Sequence, residues 1–177
     1  MIAPERILFE DNHLLIIDKR VGELVQGDQT GDVPLLEMAK AYIKEKYNKP
    51  GNVYLGVVHR IDRPVSGIVL FARTSKAASR LSDDIRRKAW KKTYLAVTEP
   101  WKAEPEGTLR HYLRKDAAKN KSFIVKEGDK RGKESILHYR LLGHLDRYSV
   151  LEVELETGRH HQIRCQLAAT SSPIMGC

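Results

Sequence analysis

Hydrophobic and polar positions along this chain recur with two periods, and the alternation between them sets out most of its elements. "NHLLIIDKR" (Asn12 to Arg20) is a short apolar run followed by turn signals at Gly22 and Gly27, the pattern of a buried strand. In "GDVPLLEMAKAYIKEKYN" the apolar residues Leu35, Leu36, Ala39, Ile43 and Tyr47 recur at helical spacing. Asp32 is the expected cap, Pro34 suits the first turn, and Asn48, Pro50 and Gly51 end the helix. "SGIVLFAR" (Ser66 to Arg73) predicts a strongly apolar strand. "TSKAASRLSDDIRRK" predicts a helix with Thr74 or Ser75 as its cap and Ala77, Ala78, Leu81 and Ile85 as its inner stripe. "KTYLAVTE" reads as a strand stopped by Pro100, and residues 101–122 as loop with a weak strand near Leu109. "SFIVK" is a short strand and "EGDKRGK" a basic turn. "SILHYRLLGH" and "YSVLEVELET" are two strands joined around "LDR". In the second of these, Leu151, Val153 and Leu155 alternate with Glu152, Glu154 and Glu156, which sends one face to solvent. "GRHHQIRCQLAAT" predicts a closing helix with Ile163 and Leu167 on one face.

Strands in runs, with helices between only some of them, imply an α+β fold with a mixed, largely antiparallel sheet. No internal repeat or low-complexity linker interrupts the chain. "DKRVGELVQG" after the first strand lacks the glycine pattern of a dinucleotide fold, and no phosphate-binding P-loop is present. The 177 residues suffice for one domain with a real core, expected over 1–177. With 41% hydrophobic and 31% charged residues the chain reads as globular rather than disordered. No apolar run approaches the roughly 20 residues that cross a membrane. The N-terminus, "MIAPERILFEDNHL", is too mixed in polarity for a secretory signal. Two cysteines, Cys165 and Cys177, provide neither metal-ligand spacing nor a disulfide framework, so a cytoplasmic protein is expected.

Charge adds the first functional information. Lys and Arg number 31 against 23 Asp and Glu, a net +8. The excess is clustered: ten basic against four acidic residues from Arg110 to Arg140, and six against two from Arg80 to Lys92. Such clusters attract polyanions through Coulomb steering and counterion release, although a solvated basic face has the same composition. An anionic membrane surface fits less well, because no basic helix carries large apolar residues opposite its charges.

Candidate chemistry centres on "VVHRIDRPVSGIVLFAR" (Val57 to Arg73). Asp62 stands between Arg60 and Arg63 just before a strand, and neighbouring cations favour its ionised form. An ionised aspartate is a usable nucleophile or base and a poor acid. The residues alone leave open a purely structural ion pair. A Ser66–His59–Asp62 triad lacks the glycine-x-serine-x-glycine elbow. His160 and His161 are adjacent, so on a helix they point to different faces, while His13, His111, His138 and His144 are isolated; no metal site is expected. Tyr94, beside Lys91 and Lys92, is either a sheet-face residue or a platform on which an unpaired base stacks. Arg159 and Arg164 flank "HHQI", where one of them can reach back to a carboxylate.

Taken together, "HRIDRPVSG", "KKTYLAV", "GKESILHYRLL" and "ETGRHHQIRCQL" resemble, in order and spacing, the motifs of the RluA family of RNA pseudouridine synthases. "LLIIDKRVGELV" is similar to that family's opening strand. The resemblance implies mixed sheets flanked by helices around a basic central cleft, and isomerisation of uridine to pseudouridine in RNA without a metal or nucleotide cofactor. It implies that Asp62 is the catalytic aspartate, that Tyr94 stacks on the target base and handles protons, and that Arg164 pairs with the aspartate. Arg60 resembles the arginine that opens the RNA, while Ser66 and Gly67 shape the turn. His59, Arg63, Lys92, Lys133 and Arg159 are the further residues expected to bind RNA. The implied partner is a stem-loop of ribosomal or transfer RNA; no membrane partner is expected, and the residues leave the oligomeric state open, with a monomer as the expectation. Val65 and His160 depart from the family's usual Thr and Thr or Ser. The family runs on past "PIMG" with a further C-terminal segment, so the expectation is a truncated, stand-alone member without an S4 module. A second reading is an RNA-binding relative that does not isomerise.

Overall fold

Alternation along β2 (Leu14–Lys19) and β4 (Gly67–Ala72) buries Leu15 and Ile17 opposite Val69 and Phe71, and this pair is the centre of the first sheet. The computed structural model describes residues 2–176. The chain divides into two units, Met1–Ala89 and Trp90–Cys177. In the first, β1 (Ile7–Glu10) and β3 (Gly56–Val57) flank the central pair in the order β1-β2-β4-β3, antiparallel throughout. Helix α1 (Leu35–Lys46) covers one face, with Leu35, Ala39 and Ile43 in the same cluster as the strand residues. The helical stripe is as expected except at its end, where Tyr47 lies past the helix and is 45% exposed.

Asp32 does not cap α1. The first helical N–H groups are met instead by backbone carbonyls, Leu35 N donating to Leu24 O at 2.7 Å and Leu36 N to Val25 O at 3.1 Å. That leaves Asp32 for a salt bridge with Arg63 at 2.7 Å. Helix α2 (Ser75–Arg86) has the expected cap, Thr74 Oγ1 accepting from Ala77 N at 3.1 Å. Its stripe of Ala77, Ala78, Leu81 and Ile85 is only partly buried.

The second unit is a five-stranded sheet in the order β5-β9-β8-β6-β7, again wholly antiparallel. Its strands are β5 (Thr93–Thr98), β6 (Glu106–Asp116), β7 (Lys121–Val125), β8 (Lys133–His144) and β9 (Ser149–Leu155). Strand β6 corrects the loop reading of residues 101–122. It is polar and carries a glycine, so its pattern is weak, but it pairs with β8 from Glu106 to Leu113 and with β7 from Tyr112 to Asp116. Ladder hydrogen bonds on both sides override the local propensity. Leu137, Leu151 and Val153 form the buried face with Trp101 and Tyr139, whose rings meet edge-on at 4.7 Å.

Helix α3 (Gln162–Ala168) is shorter than the sequence reading, because His161 adopts a left-handed conformation (φ 51°) ahead of it. Leu167 joins the core and Ile163 packs against it, as expected. The helix is also fastened by glutamines at i and i+4. Gln162 Nε2 donates to Ile136 O at 3.1 Å, and its Oε1 accepts from Arg159 N at 2.9 Å and Thr157 Oγ1 at 2.8 Å. Gln166 Nε2 donates to Leu109 O at 3.0 Å and Ser135 O at 3.1 Å. Turning that amide over would set its oxygen against two carbonyls, so Gln166 Oε1 is left buried without a partner among the described residues.

Two stability measurements follow from this packing. Glu10 accepts from Tyr42 Oη at 2.9 Å, Lys46 Nζ at 2.8 Å, Tyr47 Oη at 2.6 Å and Arg73 Nη1 at 3.1 Å, joining α1 to the sheet. Burial pushes its carboxyl up, but the hydrogen bonds from Lys46, Tyr47 and Tyr42 outweigh it and hold the group below its ordinary value. A depressed pKa stabilises the fold above the ordinary carboxylate range, and that contribution is lost as pH falls through it. Denaturant titration of Glu10→Gln is expected to show a loss of about 1–3 kcal/mol at neutral pH that shrinks toward about pH 3. Gln162→Ala strands the Arg159 N–H, whose acceptor is Gln162 Oε1, and is expected to cost about 1–3 kcal/mol at all pH values between about 5 and 8.

Candidate RNA site

Asp62 lies in the loop between β3 and β4, partly buried, with Arg60 and Arg63 exposed on either side. Its carbonyl accepts from Val65 N at 3.0 Å, closing a tight turn. His59 Nε2 takes the N–H of Leu70 at 3.0 Å, so the ring anchors the loop's start to β4 and that nitrogen carries no proton. Arg63 is held by Asp32, but both side chains are about half exposed (44% and 54%), so the pair is weak and a phosphate can compete for the guanidinium. At the loop's end Gly67 has φ 134°, a conformation that L side chains rarely adopt, which fits the expected role of Ser66 and Gly67 in the turn.

Beneath this loop sits a residue that the sequence reading passed over. Lys19 continues the buried face of β2 after Leu15 and Ile17, and is 0% exposed. Its ammonium donates to Val65 O at 2.6 Å, Arg20 O at 3.1 Å and Arg63 O at 3.2 Å. Burial pushes its pKa down, while the charges of Glu23 and Asp62 oppose the shift. The turn after β2 is braced in its own right. Arg6 grips Glu23 through two nitrogens, at 2.9 and 2.5 Å, and also donates to Asp18 O. Glu23 in turn accepts from Arg20 N at 2.9 Å, and these bonds hold its carboxyl below the ordinary value against the upward pull of burial.

The other expected site residues belong to the second unit. Tyr94 is on the inner face of β5 and packs against the core cluster on which Ile163 of α3 also packs. Lys92 is two residues earlier on the same face, and a β-carbon on Gly158 would approach its Nζ to 3.3 Å. Arg159 donates from Nε to Glu134 O at 3.1 Å, which brings it next to Lys133 at the start of β8. Arg164 is partly buried on α3, with Nη1 3.5 Å from His161 Nε2. His160 and His161 do not splay to opposite faces of a helix, since both precede it. Their rings stack at 3.8 Å, and His160 Nδ1 meets Ser122 Oγ at 3.0 Å. Cys165 donates to Ser122 O, and burial pushes its thiol pKa up. The structure thus groups His59, Arg60, Asp62 and Arg63 in one loop of the first unit, and Lys92, Tyr94, Lys133, Arg159 and Arg164 along β5, β8 and α3 of the second.

The basic run from Arg110 to Arg140 divides into residues held in ion pairs and residues exposed along a hairpin. Arg110, Arg114 and Arg140 bridge Glu134, Asp129 and Glu152. Lys115, Lys119, Lys121, Lys126, Lys130, Arg131 and Lys133 are exposed along the β6–β7 hairpin and the turn after it. Phe123 is exposed there too, with Lys119 Nζ 6.0 Å from its ring. Cations beside an open aromatic face suit a nucleic-acid backbone and its bases. Among the described residues no cluster of three His, Cys, Asp or Glu is placed to hold a metal ion, and no helix is long and apolar enough to cross a membrane.

Residues 13–169 match the family described as RNA pseudouridylate synthase. The chain is 33% identical over 172 residues to the uncharacterized RNA pseudouridine synthase YhcT of Bacillus subtilis, covering 96% of this chain and 55% of that protein. It is 31% identical over 187 residues to ribosomal large subunit pseudouridine synthase D of Xanthomonas campestris, covering 98% and 50%. The chain therefore spans about half the length of the curated relatives it matches. Among solved structures, the human RNA pseudouridylate synthase domain containing 4 superposes with a TM-score of 0.82 at 21% identity, over 97% of this chain and 67% of that one. The human domain containing 1 gives 0.75 at 22%, over 96% and 66%. These two share the fold. With the α+β architecture, the ordered motifs and the matched span in agreement, the chain belongs to the RNA pseudouridylate synthase family.

Proposed function

We propose that the chain isomerises uridine to pseudouridine in structured RNA, with Asp62 as the catalytic carboxylate. The observation that carries this reading is the family match over residues 13–169, which takes in the Asp62 loop, β5 and α3. The name of the relative in Xanthomonas campestris favours the large ribosomal subunit as the source of substrate, with transfer RNA as the second RNA to test. The exposed lysines of the β6–β7 hairpin support binding to phosphates without reading sequence.

The chemistry needs a base removed from its stack, because a side chain cannot reach the sugar inside a helix. Arg60 and Arg63, exposed beside Asp62, are suited to hold the backbone of an opened RNA. The Asp62 carboxylate then attacks the ribosyl carbon or takes a proton from the sugar, and either route requires it ionised. The bond from the sugar to N1 breaks, the base turns, and a bond from the sugar to C5 forms. The C5 proton leaves and N1 gains one, so no atom is added overall. The family motifs assign Tyr94 the aromatic face for the base and the hydroxyl for that proton traffic, and Arg164 the cation that pairs with a catalytic carboxylate.

Incubation with large-subunit ribosomal RNA and with transfer RNA, followed by nucleoside chromatography, tests the reading. New pseudouridine in either RNA supports it. Salt-sensitive binding with no pseudouridine in either would favour the RNA-binding relative that does not isomerise. Asp62→Asn is expected to lower turnover by roughly a thousandfold or more while RNA affinity at fixed salt stays within about twofold. Tyr94→Phe keeps the ring and is expected to lose about tenfold or more in kcat; an unchanged rate would mean that the hydroxyl is idle.

A further inference from the structure

Arg63, the residue after Asp62, meets a carboxylate where its surroundings are otherwise basic. Arg20, Arg60 and Arg63 are all exposed at the turns around Asp62. Residues 26–33, between the turn after β2 and α1, are exposed without interruption, and their only charged side chains are Asp28 and Asp32. Arg63 Nη2 pairs with Asp32 Oδ2 at 2.7 Å, the short length of a charge-assisted bond. Thr30 organises the acidic side. Its hydroxyl lies 2.5 Å from Asp28 Oδ1 and 3.4 Å from Asp32 Oδ2, and its N–H donates to Asp28 Oδ1 at 2.8 Å.

The pair contributes little to stability, because both side chains are about half exposed. What it decides is which group the guanidinium meets. A guanidinium fork fits a carboxylate and a phosphate by the same geometry. The Arg63 backbone is fixed, its carbonyl accepting from Gly22 N at 2.9 Å and from Lys19 Nζ at 3.2 Å, so an exchange of partners involves the side chain alone. The acidic loop is fastened at its base, where Leu35 N and Leu36 N donate to Leu24 O and Val25 O. Its exposed part can therefore release Arg63 without disturbing the core. A phosphate that binds Arg63 first has to displace Asp32.

We propose that Asp32 is an internal phosphate mimic, which occupies Arg63 in the free chain and is exchanged for a backbone phosphate when RNA enters at the Asp62 loop. The proposal rests on the reading of that loop as part of the RNA site. The exchange weakens binding at one contact, and does so for RNA of any sequence, because a phosphate carries none. It gives Asp32 a role apart from the chemistry: it sets how tightly RNA is held beside Asp62, not how fast the base is turned over.

A double-mutant cycle over Asp32→Asn and Arg63→Gln tests this, reading the affinity of each protein for a fluorescent oligouridylate at about 0.15 M salt, where the field of distant charges is screened. Both side chains are exposed, so all four proteins are expected to fold, and melting curves check that they do. Asp32→Asn is expected to tighten binding about two- to fivefold, the span of an exposed ion pair, and Arg63→Gln to weaken it. With Arg63→Gln already in place, Asp32→Asn is expected to change affinity by less than about 1.5-fold. On an RNA that is turned over, Asp32→Asn is expected to lower KM by the same factor without raising kcat. Equal tightening in both backgrounds would reveal a general charge effect and overturn the mimic, as would unchanged or weaker binding of Asp32→Asn, while a weakened Arg63→Gln leaves the RNA site standing. Native affinity of Arg63→Gln, with or without Asp32→Asn, overturns both.

Discussion

A positive charge sealed inside a protein must be surrounded by oxygen, and where that oxygen comes from decides what the charge organises. In this chain the Lys19 ammonium draws on the carbonyls of Arg20, Arg63 and Val65 rather than on a carboxylate. A carboxylate partner would have given a closed ion pair with no wider effect. Carbonyl partners make the charge a fastening for backbone, and the backbone it fastens is the turn that presents Asp62. The first unit can be viewed as built around that fastening. The β2–β4 ladder sets the lysine's height, α1 seals the apolar layer, and the Arg6–Glu23 pair stiffens the turn that completes the grip.

The second unit uses the same physics with neutral groups. Gln162 and Gln166 are buried, and they spend their amides on the carbonyls of Leu109, Ser135 and Ile136 and on the turn before α3. Helix α3 is short, and Leu167 and Ile163 alone would leave it free to slide across the sheet. Directional bonds fix its register, and hence the place of Arg164 and of the stacked imidazoles before it. Surface charge is arranged differently. Along the β6–β7 hairpin, lysines stand exposed on a ladder joined through its backbone. In each unit, buried polar groups set position, while exposed cations remain available for phosphate.

Elements whose burial follows a clean period were legible in the sequence. β2, β4, β9 and the stripe of α1 read directly from spacing, and the Thr74 cap from its chemistry. Strand β6 was not legible, because its stability comes from two neighbours rather than from its own composition. Asp32 looked like a cap because it had the right residue type at the right place, yet backbone carbonyls reached the helix first. The two histidines looked helical because the helix start depends on a left-handed residue that no pattern announces. Asp62, Tyr94 and Arg164 stood out through ordered motifs. Lys19, Gln162 and Gln166 did not, since a polar residue at a buried position is indistinguishable by period from one that has drifted to the surface; Lys19 breaking the alternation after Ile17 was the available signal.

The most direct test of this account is a crystal structure of the chain bound to an RNA stem-loop that it modifies. The account predicts a uridine turned out of its stack with its sugar against the Asp62 carboxylate, and Lys19 Nζ still within hydrogen-bond distance of the Arg63 and Val65 carbonyls. A ribose met by some other group with Asp62 turned away, or Lys19 swung out to a phosphate, would contradict it.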